Sequence, residues 1–216
     1  FSFLESLNFE FTVECDERLH EIVKHNFQFL KVIGRKKILL ENYRYHVPIG
    51  DLFSIYYKEM EQIRRPALIA QESVLVNSTI SQYNKKKSFV GISWKSLSED
   101  YTTQRTVSID RICEGLDPKS NTVVVLQPKV EQDEIKRIEK LGFDVISNFD
   151  CHNDINLVFA LISHCEEVIS IANSVAHFSG ALNKPTTLLL PRVPSWRWGV
   201  DLSTSYWYPC VNIKKI

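Results

Sequence analysis

The stretch EEVISIANSVAHFSGALNKPTTLLLP, residues 166–191, decides the fold of this chain. Its two apolar runs, Glu167 to Ile171 and Thr186 to Leu190, have the length and composition of buried strands. Between them, after a polar break, Val175 to Leu182 has the pattern of a short helix. A buried strand, a helix and a second buried strand are typical of a parallel sheet with crossover helices, so the stretch predicts an α/β protein.

The same alternation extends upstream to residue 89. Segments of helical period, EQDEIKRIEKLGF at 131–143 and DINLVFALISHC at 154–165, separate the apolar runs, and a weaker helix candidate spans 106–116. Right-handed crossovers would make these segments a doubly wound, Rossmann-like parallel sheet. Three more strands are expected, which makes five in all: Phe89 to Trp94, Thr122 to Gln127 and Phe143 to Ser147.

The N-terminal region has a less regular pattern. FEFTVECD at 9–16, ERLHEIVKHNF at 17–27 and FLKVIG at 29–34 predict a strand, an amphipathic helix and a second strand, which is a further βαβ unit. YRYHVPIGDLFSIYY at 43–57 predicts a loop that leads into a helix.

A polar, lysine-rich stretch, NSTISQYNKKKS at 77–88, is typical of a junction between domains. The sequence therefore predicts a partial N-terminal Rossmann-like α/β region at residues 1–85. A complete C-terminal Rossmann-like domain is expected at residues 86–216.

The composition excludes several classes of function. Lys plus Arg and Asp plus Glu both number 26, so no extended basic face favours a nucleic acid or an anionic membrane as partner. Five cysteines without a CxxC pair indicate neither a disulfide framework nor a zinc site, and with no membrane span or leader pattern we expect a cytoplasmic protein. GxGxxG, P-loop, GxSxG, HExxH and DxD motifs are all absent, which disfavours dehydrogenases, ATPases, serine hydrolases and metal-dependent transferases.

The residues that follow each predicted strand are the candidates for a binding site, because ligands of open parallel sheets lie outside the carboxyl ends of the strands. These residues are Lys95, Gln127, Asn148 and the corner from Ala172 to Ser174. Asn173 and Ser174 are good N-cap types, and with the first-turn amides of the next helix they could cradle an anion that His177 also reaches. The alternative is that Asn173 only caps and His177 only packs. A diphosphate also needs a cation, for which Lys95 and then Arg105 are placed, unless Lys95 is simply solvated.

Two further features of the sequence fit either a functional or a structural role. His46, in YHVPIGDL, is either a general base or a turn residue. The segment at 192–209 is rich in aromatic side chains that could stack on a base or sugar but more often pack, here joining the two halves of the chain. These side chains are Trp196, Trp198, Tyr206, Trp207 and Tyr208.

Four stretches together resemble the C-terminal glycosyltransferase-like domain of bacterial tetratricopeptide-repeat proteins. They are VGISWK at 90–95, VVVLQP at 123–128, the opening stretch, and PSWRWGVDLSTSYWYPCVNI at 194–213. That domain is similar to the heptosyltransferases of glycosyltransferase family nine and, more distantly, to protein O-GlcNAc transferase. The resemblance continues upstream through FTVECDERLHEIVKHNF and HVPIGDL, and so covers nearly the whole chain.

The resemblance implies a GT-B fold and transfer of a sugar from a nucleotide-diphosphate donor without an obligatory metal. The acceptor would be a glycan, a lipid-linked sugar or a protein, and tetratricopeptide repeats would precede Phe1. Lys95 would neutralise phosphate charge as the sugar departs, and Gln127 would lie near the nucleoside. The donor diphosphate would be held by Asn173, Ser174 and the amide of Val175, with His177 in the same motif.

Two departures from the family pattern keep other functions open. Many relatives have Asp-Thr where this chain has Ala172-Asn173, although some have Ser-Asn. The first strands of the N-terminal domain, where heptosyltransferases keep their catalytic base, are expected to lie outside this chain. One alternative is therefore a non-catalytic binding or scaffolding module, and another is a nucleotide-sugar epimerase of the same architecture.

Overall fold

The computed structural model describes residues 4–7, 9–35, 43–55, 68–83, 86–97, 106–199 and 203–216. The chain forms two compact units, Phe1–Ile69 and Ala70–Ile216. From the sequence the junction is expected after residue 85. In the structure, helix α3 (Val74–Ile80) already contributes Val76 and Ile80 to the core of the second unit, because these apolar side chains lie on one face of the helix.

The first unit contains the predicted βαβ arrangement. Strand β1 (Thr12–Cys15), helix α1 (His20–Asn26) and strand β2 (Lys31–Gly34) follow one another, and the two strands pair in parallel. Helix α2 (Ile49–Ile55) follows the predicted loop. Leu4, Val23 and Leu30 form the buried centre of this unit.

A six-stranded, fully parallel sheet forms the centre of the second unit, in the order β5-β4-β3-β6-β7-β8. The five predicted strands are all present, within two residues of their expected bounds. The sixth, β8, was missed because it is an edge strand in which Asn212, Lys214 and Lys215 are exposed, so it lacks a continuous apolar run. The strands are β3 (Ser88–Ser93), β4 (Asn121–Val125), β5 (Asp144–Ile146), β6 (Glu167–Ile171), β7 (Thr186–Leu190) and β8 (Val211–Lys215).

Two hydrophobic clusters cover the two faces of this sheet. Alternate residues of β4 divide between them: Val123 and Val125 lie in one cluster, and Val124 in the other. The first cluster includes residues of α4 (Ile109–Ile112), which is shorter than the candidate at 106–116, and of α5 (Gln132–Lys140). The second includes residues of α3, α6 (Ile155–His164) and α7 (Ser174–Ala181), so the sheet is doubly wound as predicted.

The direction of winding reverses between β3 and β6. The chain builds β3, β4 and β5 outward to one side, returns to place β6 against β3, and then adds β7 and β8 on the other side. In open α/β sheets this switch point leaves a crevice outside the carboxyl ends of the two central strands, where ligands bind. No described helix combines the length and the apolarity of a membrane span.

Candidate functional site

Asn173 connects the two central strands at the switch point. It is the N-cap of α7, and its Oδ1 accepts hydrogen bonds from the amide of Val175 over 3.0 Å and from the hydroxyl of Ser170 over 3.1 Å. Its Nδ2 donates to Oγ of Ser93, the last residue of β3, over 2.7 Å. The side chain therefore fixes the start of α7 to the ends of both β6 and β3.

Gln127 continues this network to the third strand. Its Oε1 accepts three hydrogen bonds, from the Ser93 hydroxyl over 3.1 Å and from the amides of Trp94 and Lys95 over 3.0 Å each. Its Nε2 donates to the carbonyl of Pro128 over 2.9 Å, and the residue is only 2% exposed. Gln127 thus holds the turn that carries Lys95, and its polar atoms are already satisfied within the chain.

Lys95 forms an ion pair at the same edge of the sheet. Its Nζ lies 2.5 Å from Oε2 of Glu134, which belongs to the first turn of α5. Oε1 of Glu134 accepts from the buried indole of Trp94 over 2.9 Å. Burial alone would raise the pKa of Glu134, but hydrogen bonds from the amide of Glu131, from Lys95 and from Trp94 outweigh it and lower that pKa.

His177 lies in α7 but turns to the aromatic segment. Its ring stacks on Trp198 with centroids 4.6 Å apart, and its Nδ1 is 3.3 Å from the hydroxyl of Tyr208. Burial, with a smaller contribution from the charge of Arg197, lowers the pKa of His177 from 6.5 to about 4. The imidazole is therefore neutral at pH 7, and its ring packs on Trp198.

The aromatic segment packs against α7. Trp198 is 2% exposed, and the ring of Tyr208 lies so close to Gly180 that a Cβ on that glycine would come within 2.4 Å of it. Trp207 meets Tyr206 edge to face, and Tyr206 is 42% exposed. Most of the described rings therefore serve packing.

Four other candidates come from the sequence, namely Arg105, His46, Asn148 and Ser174. Arg105 lies outside the described residues. His46 is exposed in the first unit, and Asn148 is exposed after β5. Ser174 is exposed at the start of α7, where it can meet a ligand.

Three residues of this network were missed from the sequence, namely Ser93, Ser170 and Glu134. Two signals could have found them. A serine in a buried strand points to a partner inside the protein, and Glu134 stands three residues after Glu131 as in a capping box. Among the described residues, no group of three or more His, Cys, Asp or Glu side chains could hold a metal ion.

Comparison with known proteins identifies the fold. No family model and no curated protein matches the chain. A solved structure that it resembles is a family 9 glycosyltransferase from Veillonella parvula, with a TM-score of 0.62, 11% identity, and coverage of 96% of this chain and 77% of that one. This chain has a glycosyltransferase fold of the GT-B type.

Two Escherichia coli proteins are more distant neighbours. ADP-heptose LPS heptosyltransferase II aligns with a TM-score of 0.45 and 14% identity, over 72% of this chain and 47% of that one. Heptosyltransferase WaaC with ADP-2-deoxy-2-fluoro heptose aligns with a TM-score of 0.44 and 9% identity, over 97% and 66%. The chain thus spans less than two thirds of either protein, and the fold assignment rests on the Veillonella structure.

Proposed function

We propose that this chain is the donor-binding part of a glycosyltransferase that moves a sugar from a nucleotide-diphosphate donor to an acceptor. The proposal rests on one observation: hydrogen bonds link Lys95 to the capped start of α7 at the switch point of a glycosyltransferase fold. Asn173 and Ser93 connect the two central strands directly, and Gln127 connects Ser93 to the amide of Lys95. A cation and a helix N-terminus are the two features that a diphosphate requires.

The first turn of α7 supplies the hydrogen-bond donors. Helix amides at an N-terminus have no acceptor within the helix. Asn173 accepts from the amide of Val175, which the resemblance assigns to the diphosphate, and leaves the amide of the exposed Ser174 for a phosphate. The helix terminus contributes about 0.3–1 kcal/mol toward a nearby charge. Hydrogen bonds to charged groups add about 1.5–3 kcal/mol each. These two terms together are too weak for an exposed diphosphate, so Lys95 is an essential part of the proposal.

Lys95 and the α7 amides also account for the chemical step. As the bond between the sugar and the diphosphate breaks, negative charge grows on the departing phosphate oxygen. Fixed donors aimed at that oxygen lower the barrier because they need no reorganisation during the step. In this scheme Gln127 orients the Lys95 turn through its buried hydrogen bonds. Arg105 would supply a second cation, and His46 would act as a general base on the acceptor side.

The absence of a metal requirement is part of the same proposal. Lys95 and the helix terminus would carry the charge stabilisation that a divalent cation supplies in other transferases. Transfer that persists undiminished in excess EDTA supports this part, and loss of transfer restored by Mg²⁺ or Mn²⁺ refutes it. The acceptor class, the link to tetratricopeptide repeats and a cytoplasmic location stay predictions.

Calorimetric titration of the chain with UDP, ADP, GDP and CDP tests the donor site. We expect one nucleotide to bind selectively, and Lys95→Ala to weaken that binding about tenfold or more. Lys87→Ala is the matched control: Lys87 also forms an ion pair, with Asp144 over 2.7 Å, but it precedes β3 instead of following it.

The outcomes of this titration separate the candidate functions. Equal weakening in both lysine variants would remove the role of Lys95. A folded chain that binds none of the four nucleotides would favour a non-catalytic module. If a nucleotide sugar is converted to an isomer in the absence of any acceptor, the chain is an epimerase instead, because an epimerase needs no second substrate.

A further inference from the structure

Glu134 is held in place by two neutral donors. The indole nitrogen of Trp94 donates to its Oε1 over 2.9 Å, and the amide of Glu131 donates to its Oε2 over 2.8 Å. Trp94 is 2% exposed, and the side chain of Glu134 is 23% exposed. Both anchors are independent of Lys95, so the carboxylate keeps its position if Lys95 leaves.

The ammonium of Lys95 is the movable partner of this ion pair. Its backbone amide is tied to Gln127, but the charged end is reached through a flexible four-carbon stem. Among the described residues, that charged end bonds to Oε2 of Glu134 alone, 2.5 Å away. A second anion that approaches Lys95 therefore competes with Glu134 for one cation.

We infer that Glu134 is a positioning residue of the donor site: it holds the Lys95 ammonium while the site is empty and releases it to the diphosphate of the arriving donor. This inference rests on the proposed function. Donor binding then exchanges one counterion for another, and a diphosphate succeeds because it carries more charge than a single carboxylate. The negative charge of Glu134 opposes the incoming anion, so Glu134 limits the affinity of the site and favours release of the diphosphate product.

The lowered pKa of Glu134 agrees with this part. A carboxyl group whose pKa lies below its ordinary value is ionised at neutral pH, and so it is available as a counterion throughout the cycle.

The test compares Glu134→Gln with Asp133→Asn. Gln is a normal third residue of a capping box, so it keeps an acceptor in the first turn of α5 while it removes the charge. Asp133 is the preceding residue in the same turn, its side chain is 94% exposed, and its ion pair is with Lys136 over 3.5 Å. Both variants remove one charge from the same helix start, but only Glu134 touches Lys95.

We expect Glu134→Gln to bind inorganic pyrophosphate about tenfold more tightly than the unaltered chain, because the repulsion is gone and Lys95 is released. Asp133→Asn should stay within about twofold of the unaltered chain, since an exposed charge is well screened. Unchanged or weaker binding by Glu134→Gln, or the same gain in both variants, would overturn the inference. A purely structural Glu134 predicts weaker binding, which is the opposite sign.

A second measurement uses the unaltered chain and does not depend on a variant that folds. The side-chain carboxyl ¹³C resonance of Glu134 should shift when pyrophosphate saturates the site, because Lys95 leaves the carboxylate, and that of Asp133 should not. Binding without a shift at Glu134 overturns the inference and leaves the proposed function intact. Failure of the unaltered chain to bind pyrophosphate or any nucleoside diphosphate removes both.

Discussion

The side-chain nitrogen of Asn173 donates to the hydroxyl of Ser93 over 2.7 Å, across 80 positions of sequence. This bond joins the N-cap of α7 to the last residue of β3, at the point where the winding of the sheet reverses. Ser93 in turn donates to Gln127, which holds the amide of Lys95. The helix terminus and the lysine are therefore set at one end of the sheet by a single chain of hydrogen bonds.

Asn173→Asp should separate capping from binding. Aspartate is as good an N-cap as asparagine but cannot donate to Ser93, so we expect the free energy of unfolding to fall by about 0.5–1.5 kcal/mol, the contribution of one hydrogen bond. The new charge stands where we place the diphosphate, so nucleotide affinity should fall about tenfold or more. Urea unfolding and calorimetry measure the two quantities. Asn148→Asp adds the same charge after β5, and an equal loss of affinity there would contradict a local effect.

Gln127→Leu should destabilise the second unit. The substitution leaves the Ser93 hydroxyl and the amides of Trp94 and Lys95 without their acceptor. Each buried donor without a partner costs about 1–3 kcal/mol, so with partial relaxation we expect a loss of about 3 kcal/mol together with loss of nucleotide binding. Gln132→Leu, at an exposed position at the start of α5, is the control and should change stability little. Chemical denaturation of both variants checks this, and equal stability would show that the turn holds itself.

Acidification should destabilise the chain through His177. The pKa of His177 is about 4 in the folded state, against an ordinary value of 6.5 that applies to the unfolded chain. Between pH 4 and pH 6.5 the unfolded chain therefore binds the proton more readily than the folded chain does. The contribution of neutral His177 to the free energy of unfolding is fully present above about pH 6.5. It is lost as the pH falls toward 4, by about 2–3 kcal/mol in total.

His177→Phe keeps a ring against Trp198 but cannot titrate. Urea unfolding of both proteins from pH 7 to pH 4 should show a shallower pH slope in the variant. If the two slopes are the same, other groups cause the acid sensitivity. His46→Gln, at an exposed site, serves as the control.

Gly180→Ala should disrupt the packing of the aromatic segment on α7. The added Cβ would lie 2.4 Å from the ring of Tyr208, so the ring must move, at a cost of about 2–3 kcal/mol. Tyr208→Ala in the same chain should remove most of that penalty, because the clash then has no partner. The helical Gly50→Ala is the control: its Cβ would meet nothing within 4 Å, and it should gain about 0.5–1 kcal/mol. Thermal midpoints would reveal the opposite signs, and a neutral Gly180→Ala would contradict the predicted clash.

The turn between β6 and α7 was predictable from the sequence because the sequence features that indicate it are local. An apolar run, an N-cap residue and a second apolar run each act within a few residues, so β6, α7 and β7 were expected where the structure has them. Strand β8 was not expected, since an edge strand needs no continuous apolar run. The strand-end candidates Lys95, Gln127 and Asn173 followed from the rule for parallel sheets.

The sequence by itself determined the α/β class, the parallel sheet and the edge at which polar residues collect, because short-range periodicity and the handedness of crossovers dictate them. Only the tertiary structure decided how those residues are used. Lys95 meets Glu134, Asn173 meets Ser93, and His177 turns away to Trp198. These partners lie on different elements, and which of them meet depends on strand order and side-chain packing. A hydrogen bond requires a separation of about 3 Å in space, whatever the separation of the two residues along the chain.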